Sequence, residues 1–173
     1  MEERVILVDE YDNEMGYMEK MEAHRKALLH RAISVFILNS NNEWLLQQRA
    51  LDKYHSNGLW TNTCCSHPYP GETSLDAANR RLREEMGMEA ELKEIFHFTY
   101  REKLDNELTE HELDHVFIGI TDETPRINTR EVVAWKYIDY SELKEDVNKN
   151  PQNYTVWFLK ILERVNRNIK MLK

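Results

Sequence analysis

Two spacings of apolar residues alternate along the chain. Leu75, Ala78, Leu82 and Met86 recur at helical spacing, with Thr73 or Ser74 placed to cap the start and Gly87 to end the element. The pattern predicts a helix over residues 74–87. Phe158, Ile161, Leu162, Val165 and Ile169 repeat that period and predict an amphipathic helix from Tyr154 onward, with Pro151 near its start. Elsewhere the runs are short and rich in β-branched and aromatic residues. Residues 5–8 read as an edge strand, followed by the turn residues Asp12, Asn13 and Gly16. Residues 31–39 and 43–50 read as a hairpin around Ser40, Asn41 and Asn42. Residues 90–102, 112–121 and 132–137 predict three more strands, with the charged stretch 104–112 as a connection or a strand continuation. Helices beside a mixed sheet, in one domain over residues 1–173, is the expectation.

One stretch carries more than periodicity. Polar residues 51–59, with the turn pair Asn57 and Gly58, lead into WTNTCCSHP at 60–68. Pro68 disfavours helical geometry at the residue before it. In an extended chain Cys65 and His67 then share a face and Cys64 takes the other.

Charge and cysteine usage narrow the field. The net charge of −8 argues against a sequence-independent grip on nucleic acid. No apolar run is long enough to span a bilayer, and MEERVILVDE is not a signal peptide, so a cytoplasmic protein with no membrane partner is expected. Adjacent Cys64 and Cys65 do not offer a structural disulfide and read as free thiols. A monomer is expected, a dimer being the alternative.

Several side chains can carry chemistry. Arg81 and Glu85 lie one turn apart on the predicted helix, beside Arg80 and Glu84. They form either solvated ion pairs of little energetic weight or a site in which Glu85 holds a divalent cation and Arg81 a phosphate. Glu110 and Glu112 face one way in an extended segment, where like charges are unfavourable without a cation; exposed acids at a strand end are the alternative. His24 and His30, six apart, reach one ion only with irregular chain between them. With His67 they make three imidazoles and two carboxylates, a donor set for manganese, magnesium or zinc. His55, His97, His111 and His115 read as polar surface residues. Lys20, Arg49, Lys53 and Arg81 can bind a diphosphate or simply aid solubility. Trp157 reads as core by its spacing, although an indole face also stabilises cations.

The segments EKMEAHRKALLH (19–30), QQRALDKY (47–54), GLWTNTCCSHP (58–68), RRLREEMG (80–87), FTYRE (98–102) and EHEL (110–113), with Trp157 after them, resemble the type 1 isopentenyl diphosphate isomerases in order through nearly the whole chain. The resemblance implies a Nudix fold: α+β, a mixed sheet between helices in an α/β/α sandwich. The Nudix motif lies over residues 66–88, where Glu72, Arg80, Leu82, Glu84, Glu85, Gly87 and Met88 fit. Ser66 stands at the first glycine of the motif and Arg81 at one of its glutamates. A cation there disfavours the metal cluster that activates water for pyrophosphate cleavage. A Nudix hydrolase of nucleoside or isoprenoid diphosphates is therefore the second reading.

By resemblance, the reaction is isomerisation of isopentenyl diphosphate to dimethylallyl diphosphate through a tertiary carbocation, in isoprene biosynthesis. Cys65 and Glu112 would be acid and base, with Tyr100 assisting. His24, His30, His67, Glu110 and Glu112 would hold one divalent ion (Mn2+, Mg2+ or Zn2+), and Glu85 a second, Mg2+, on the substrate diphosphate. Lys20, Arg49, Lys53 and Arg81 would contact that diphosphate, and Trp157 the hydrocarbon. Cys64 carries no role.

Overall fold

The computed structural model describes residues 2–172. Its strands are β1 (Arg4–Val8), β2 (Glu14–Glu19), β3 (His30–Leu38), β4 (Trp44–Arg49), β5 (Trp60–Thr61), β6 (Cys64–Ser66), β7 (Lys93–Lys103), β8 (Thr109–Ile120) and β9 (Val132–Ile138). Its helices are α1 (Lys20–Arg25), α2 (Ser74–Met86), α3 (Tyr140–Lys149) and α4 (Val156–Met171). The strands form one mixed sheet centred on β3, which pairs antiparallel with β1, β4 and β6 and parallel with β8.

Alternation along β3 divides the core. Ile33, Val35 and Ile37 join Ala78, Leu82 and Met86 of α2 on one face of the sheet. Phe36 and Leu38 join Phe158, Ile161, Leu162 and Val165 of α4 on the other. Period-2 strands between period-3.6 helices thus produce the expected α/β/α sandwich.

The α2 boundaries follow from their capping residues. The Thr73 hydroxyl accepts from Asp76 N at 3.1 Å, and Gly87 takes φ 61°. A Cβ at Gly87 would meet Arg126 O at 2.5 Å. Gly87→Ala is expected to cost about 1–3 kcal/mol from the backbone angle alone. It should appear as a lower urea midpoint at unchanged slope, and a midpoint equal to the wild type's would contradict it.

Several expectations are corrected. Residues 5–8 are not an edge strand, because β2 pairs outside β1. Leu75 is exposed on the outer side of α2. The hairpin of β3 and β4 pairs only at Ile37 with Leu45 and Leu38 with Trp44. Below that Thr63 holds the two strands apart: its hydroxyl accepts from Ile37 N at 2.9 Å and donates to Leu45 O at 2.8 Å. β5 pairs with β4, and β6 pairs with β3. The 60–68 stretch therefore crosses from one central strand to the other through a side-chain wedge. Ser66 sits in β6 opposite Ile33 without a left-handed angle, so the position needs no glycine. β2, α1 and α3 have no counterpart in the expected elements, α3 because it buries only Leu143.

Candidate active site

Four segments bring four ligand-type side chains together. α1 is a single six-residue turn, capped by the Glu19 carboxylate accepting from Met21 N and Glu22 N, and it ends at His24 and Arg25. The chain then reverses through Ala27 at φ 54°. His30 opens β3 with its ring 4.9 Å from that of His24. His67 follows β6, and Glu112 lies directly across from His30 in the parallel pairing of β3 with β8. One ligand atom from each of His24, His30, His67 and Glu112 lies within 4.8 Å of the others, and all four residues are buried.

Hydrogen bonds orient the rings. His24 Nδ1 contacts Lys20 O at 2.7 Å and His30 Nδ1 contacts Leu28 O at 2.8 Å. Each carbonyl accepts an N–H, so both Nδ1 atoms carry protons and both Nε2 atoms present lone pairs. Those two Nε2 atoms are buried without a hydrogen-bond partner. Unpartnered buried lone pairs beside a carboxylate, each ring fixed through its other nitrogen, are what a divalent cation requires. Burial first, and then the crowding of the His67 and His30 imidazoles against a further positive charge, lowers the His24 pKa to about 4. The ring is therefore a free base at neutral pH.

Glu110, placed in the ion set from sequence, lies outside this foursome. Its carboxylate groups with His24 and His55. His55, expected at the surface, is buried, with Nε2 3.5 Å from Glu110 Oε1 and its ring edge-on to Trp157 at 5.8 Å. Nothing in its spacing marked it. His97 is exposed, whereas His111 is half-buried, its Nδ1 3.0 Å from Ala27 O, and His115 is buried.

Glu112 faces two ways. Oε1 is 3.0 Å from His67 Nε2, and Oε2 is 2.7 Å from the Tyr100 hydroxyl, which is also 2.7 Å from Glu110 Oε2. One phenol proton satisfies one carboxylate, so the other contact needs a protonated carboxyl. Burial and the Glu112 charge push Glu110 well up. Burial alone would raise Glu112 too, but the two imidazoles beside it, His30 and the hydrogen-bonded His67, pull it well below the usual range. The resulting row runs from Glu110 carboxyl to Tyr100 to Glu112 carboxylate.

Cys65 stands opposite Ser34 in the β3–β6 register, on the α4 face, while Cys64 is buried against α2. Trp157 Nε1 donates to Cys65 Sγ at 3.2 Å, and the thiol donates to Asn62 Oδ1 at 3.4 Å. Burial pushes the thiol pKa up to about 12, so it holds its proton. Trp157 is set there because the start of α4 is tied to the 60–68 stretch: Thr155 N donates to Trp60 O at 3.0 Å, and the Thr155 and Thr61 hydroxyls meet at 2.8 Å. Cys65, Trp157, Tyr100, Glu110 and Glu112 line one cavity.

That cavity shares Arg49, Tyr54, Cys65, Ser66 and His67 with a neighbouring polar chamber. The chamber is lined by Lys20, Arg49, Lys53 and Arg81, together with Glu85. Three of its cations are paired: Lys20 with Glu3, Lys53 with Glu131, and Arg81 with Glu85. Glu85 Oε2 accepts from Gln47 at 2.6 Å, so both Glu85 oxygens are engaged. Arg49 has no ion pair among the described residues; it donates to His55 O at 3.2 Å, its Nε is unpartnered, and its guanidinium lies 5.3 Å from the Trp157 ring. Every site residue expected from sequence lines one of the two spaces or belongs to the four-ligand cluster, whose His67 lines both.

A NUDIX domain family model matches residues 28–158. The chain overlays a crystal structure from Deinococcus radiodurans at a TM-score of 0.71, with 21% identity, covering 85% of this chain and 90% of that one. It overlays a MutT NUDIX hydrolase from Burkholderia pseudomallei at 0.64, with 18% identity, covering 79% and 98%. Fold and motif define the class as NUDIX. Isopentenyl-diphosphate Delta-isomerase 2 of Aromatoleum aromaticum is 54% identical over 95% of this chain and 87% of its own length. The isopentenyl-diphosphate Delta-isomerase of Pectobacterium atrosepticum is 53% identical over 93% and 90%. The chain belongs to the isopentenyl-diphosphate Delta-isomerase family of NUDIX-domain proteins.

Proposed function

We propose that the protein interconverts isopentenyl diphosphate and dimethylallyl diphosphate, adding a proton at the terminal methylene and removing one from C2 through a tertiary carbocation. The observation that carries this reading is the joined pair of spaces. The inner one sets a protonated thiol and an indole with an ionised carboxylate. The outer one gathers four cations in a chain of net charge −8.

An alkene is a weak base, so each proton must be placed at its carbon and water kept away from the cation. Cys65 and Glu112 divide the two transfers. Tyr100 holds Glu112 in place and, through protonated Glu110, offers a route for proton exchange. The Trp157 ring shields the cation and stabilises it through its quadrupole. Lys20, Arg49, Lys53 and Arg81 anchor the diphosphate, exchanging their carboxylate partners for phosphate oxygens. Glu85, once Arg81 has turned to the diphosphate, would hold Mg2+, which would neutralise the phosphate charge. His24, His30, His67 and Glu112, with Glu110 nearby, would hold a divalent ion (Mn2+, Mg2+ or Zn2+), whose positive charge would set the proton affinity of Glu112.

Incubation of metal-loaded protein with isopentenyl diphosphate in D2O tests the reading by NMR. Deuterium should enter a methyl group of dimethylallyl diphosphate, without phosphate release. Phosphate release in place of that product would assign the site to hydrolysis.

A further inference from the structure

A second histidine–carboxylate cluster lies on the opposite face of β8 from Glu112. His97 of β7 and His115 of β8 are direct cross-strand partners, their ring centroids 5.4 Å apart. Glu94 would face away from His97 in a regular strand, three residues being an odd step. The register shifts between Glu94 and Phe96, and this bulge brings the Glu94 carboxylate to the same side. One ligand atom from each of Glu94, His97 and His115 lies within 4.8 Å of the others.

The surroundings orient this trio. His115 Nε2 is 2.9 Å from Asp12 Oδ2, and Asp12 is held by Arg31 Nε, which donates to Oδ1 at 2.8 Å. Asp12 lies in the left-handed region at φ 67°, with the Arg31 guanidinium also donating to its carbonyl at 2.9 Å. A carboxylate accepting from Nε2–H leaves Nδ1 as the ligating nitrogen, the arrangement that fixes histidines around metals. Nδ1 lies 2.6 Å from Glu94 Oε1, and His97 Nδ1 lies 3.9 Å from the same oxygen. With Nε2–H given to Asp12, so short a contact between Nδ1 and a carboxylate needs positive charge between them, which a second ring proton or a bound cation supplies. Tetrahedral zinc bonds near 2.1 Å place neighbouring ligand atoms about 3.4 Å apart, between these two distances.

We propose that Glu94, His97 and His115 form a further metal site, selective for a borderline cation such as Zn2+, with Asp12 and Arg31 as positioning residues. It is separate from the four-ligand cluster and its donors take no part in the isomerisation. Two imidazoles and one carboxylate leave the fourth position to water, and the donor set disfavours Mg2+ and Ca2+.

The test titrates the full-length chain with Zn2+ beside His97→Ala and Glu94→Gln. Bound zinc is counted after equilibrium dialysis, and the imidazole 15N resonances of His97 and His115 are followed. The wild type is expected to bind one zinc more than either variant. Zinc should move the His97 and His115 resonances together, with turnover of both variants at the wild-type rate. Asp12→Asn, which tolerates the left-handed angle, should weaken the extra site by about tenfold or more. Equal zinc in wild type and variants, or resonances that stay still while zinc binds elsewhere, would overturn the site. Unchanged affinity in Asp12→Asn would overturn the assignment of Nδ1 as the ligand.

Discussion

Cys65→Ala is expected to lower turnover by about 100- to 10,000-fold, the range that a positioned proton-transfer group contributes. The thiol sits between the Trp157 indole N–H and Asn62 Oδ1, and burial keeps it protonated up to about pH 12. Alanine removes the proton and leaves the indole N–H without its acceptor. Cys65→Ser restores a donor and acceptor of similar shape, so it should melt near the wild-type temperature yet remain slow. As pH rises, a limb reporting this thiol falls only near its raised value, well above the free-thiol value of about 8.5. Rate–pH profiles with single-turnover kinetics read this directly. Turnover of Cys65→Ala equal to the wild type's would remove sulfur from the proton transfer.

Removal of the ion from the four-ligand cluster is expected to abolish turnover, with His30→Ala lowering ion affinity by more than about 100-fold, the upper range for disturbing even an outer contact. His24 contributes a pH dependence of its own to the affinity. Its pKa is depressed to about 4, so its Nε2 keeps a lone pair as pH falls through the ordinary histidine range. Protonation then competes with the ion only near pH 4, where the ion should be released. Bound metal measured by dialysis against pH decides this when wild type is compared with His24→Ala, and release near 6.5 in the wild type alone would mean that His24 titrates as an exposed histidine. Full activity after chelation would contradict the metal requirement altogether.

Much of this arrangement was legible in the chain. The Thr73 cap, the Gly87 stop and the α4 stripe gave both core helices, because local propensity and tertiary packing agree there. The alternation of Cys64 and Cys65 placed one thiol on each face, as the β3–β6 register shows. The central pairing was not legible. A parallel neighbour for β3 depends on residues far along the chain, and no local pattern announces it. α1 went unread because six residues are too few for a period, and its stability comes from the Glu19 cap and the buried His24. His55 was misread because a polar loop sequence gives no sign that Trp157 and Tyr54 will enclose its ring.

The parallel pairing of β3 with β8 also fixes when the protein can acquire its ion. During synthesis the three imidazoles of the cluster leave the ribosome well before Glu112, and β3 gains its central partner only once Ile120 has followed. Until then the cluster has its three imidazoles but lacks the Glu112 carboxylate and the strand that carries it. The nascent chain therefore holds the complete four-ligand set only late in its synthesis. The carboxylate that completes the ion's cage is thus also the group that the strand pairing delivers last.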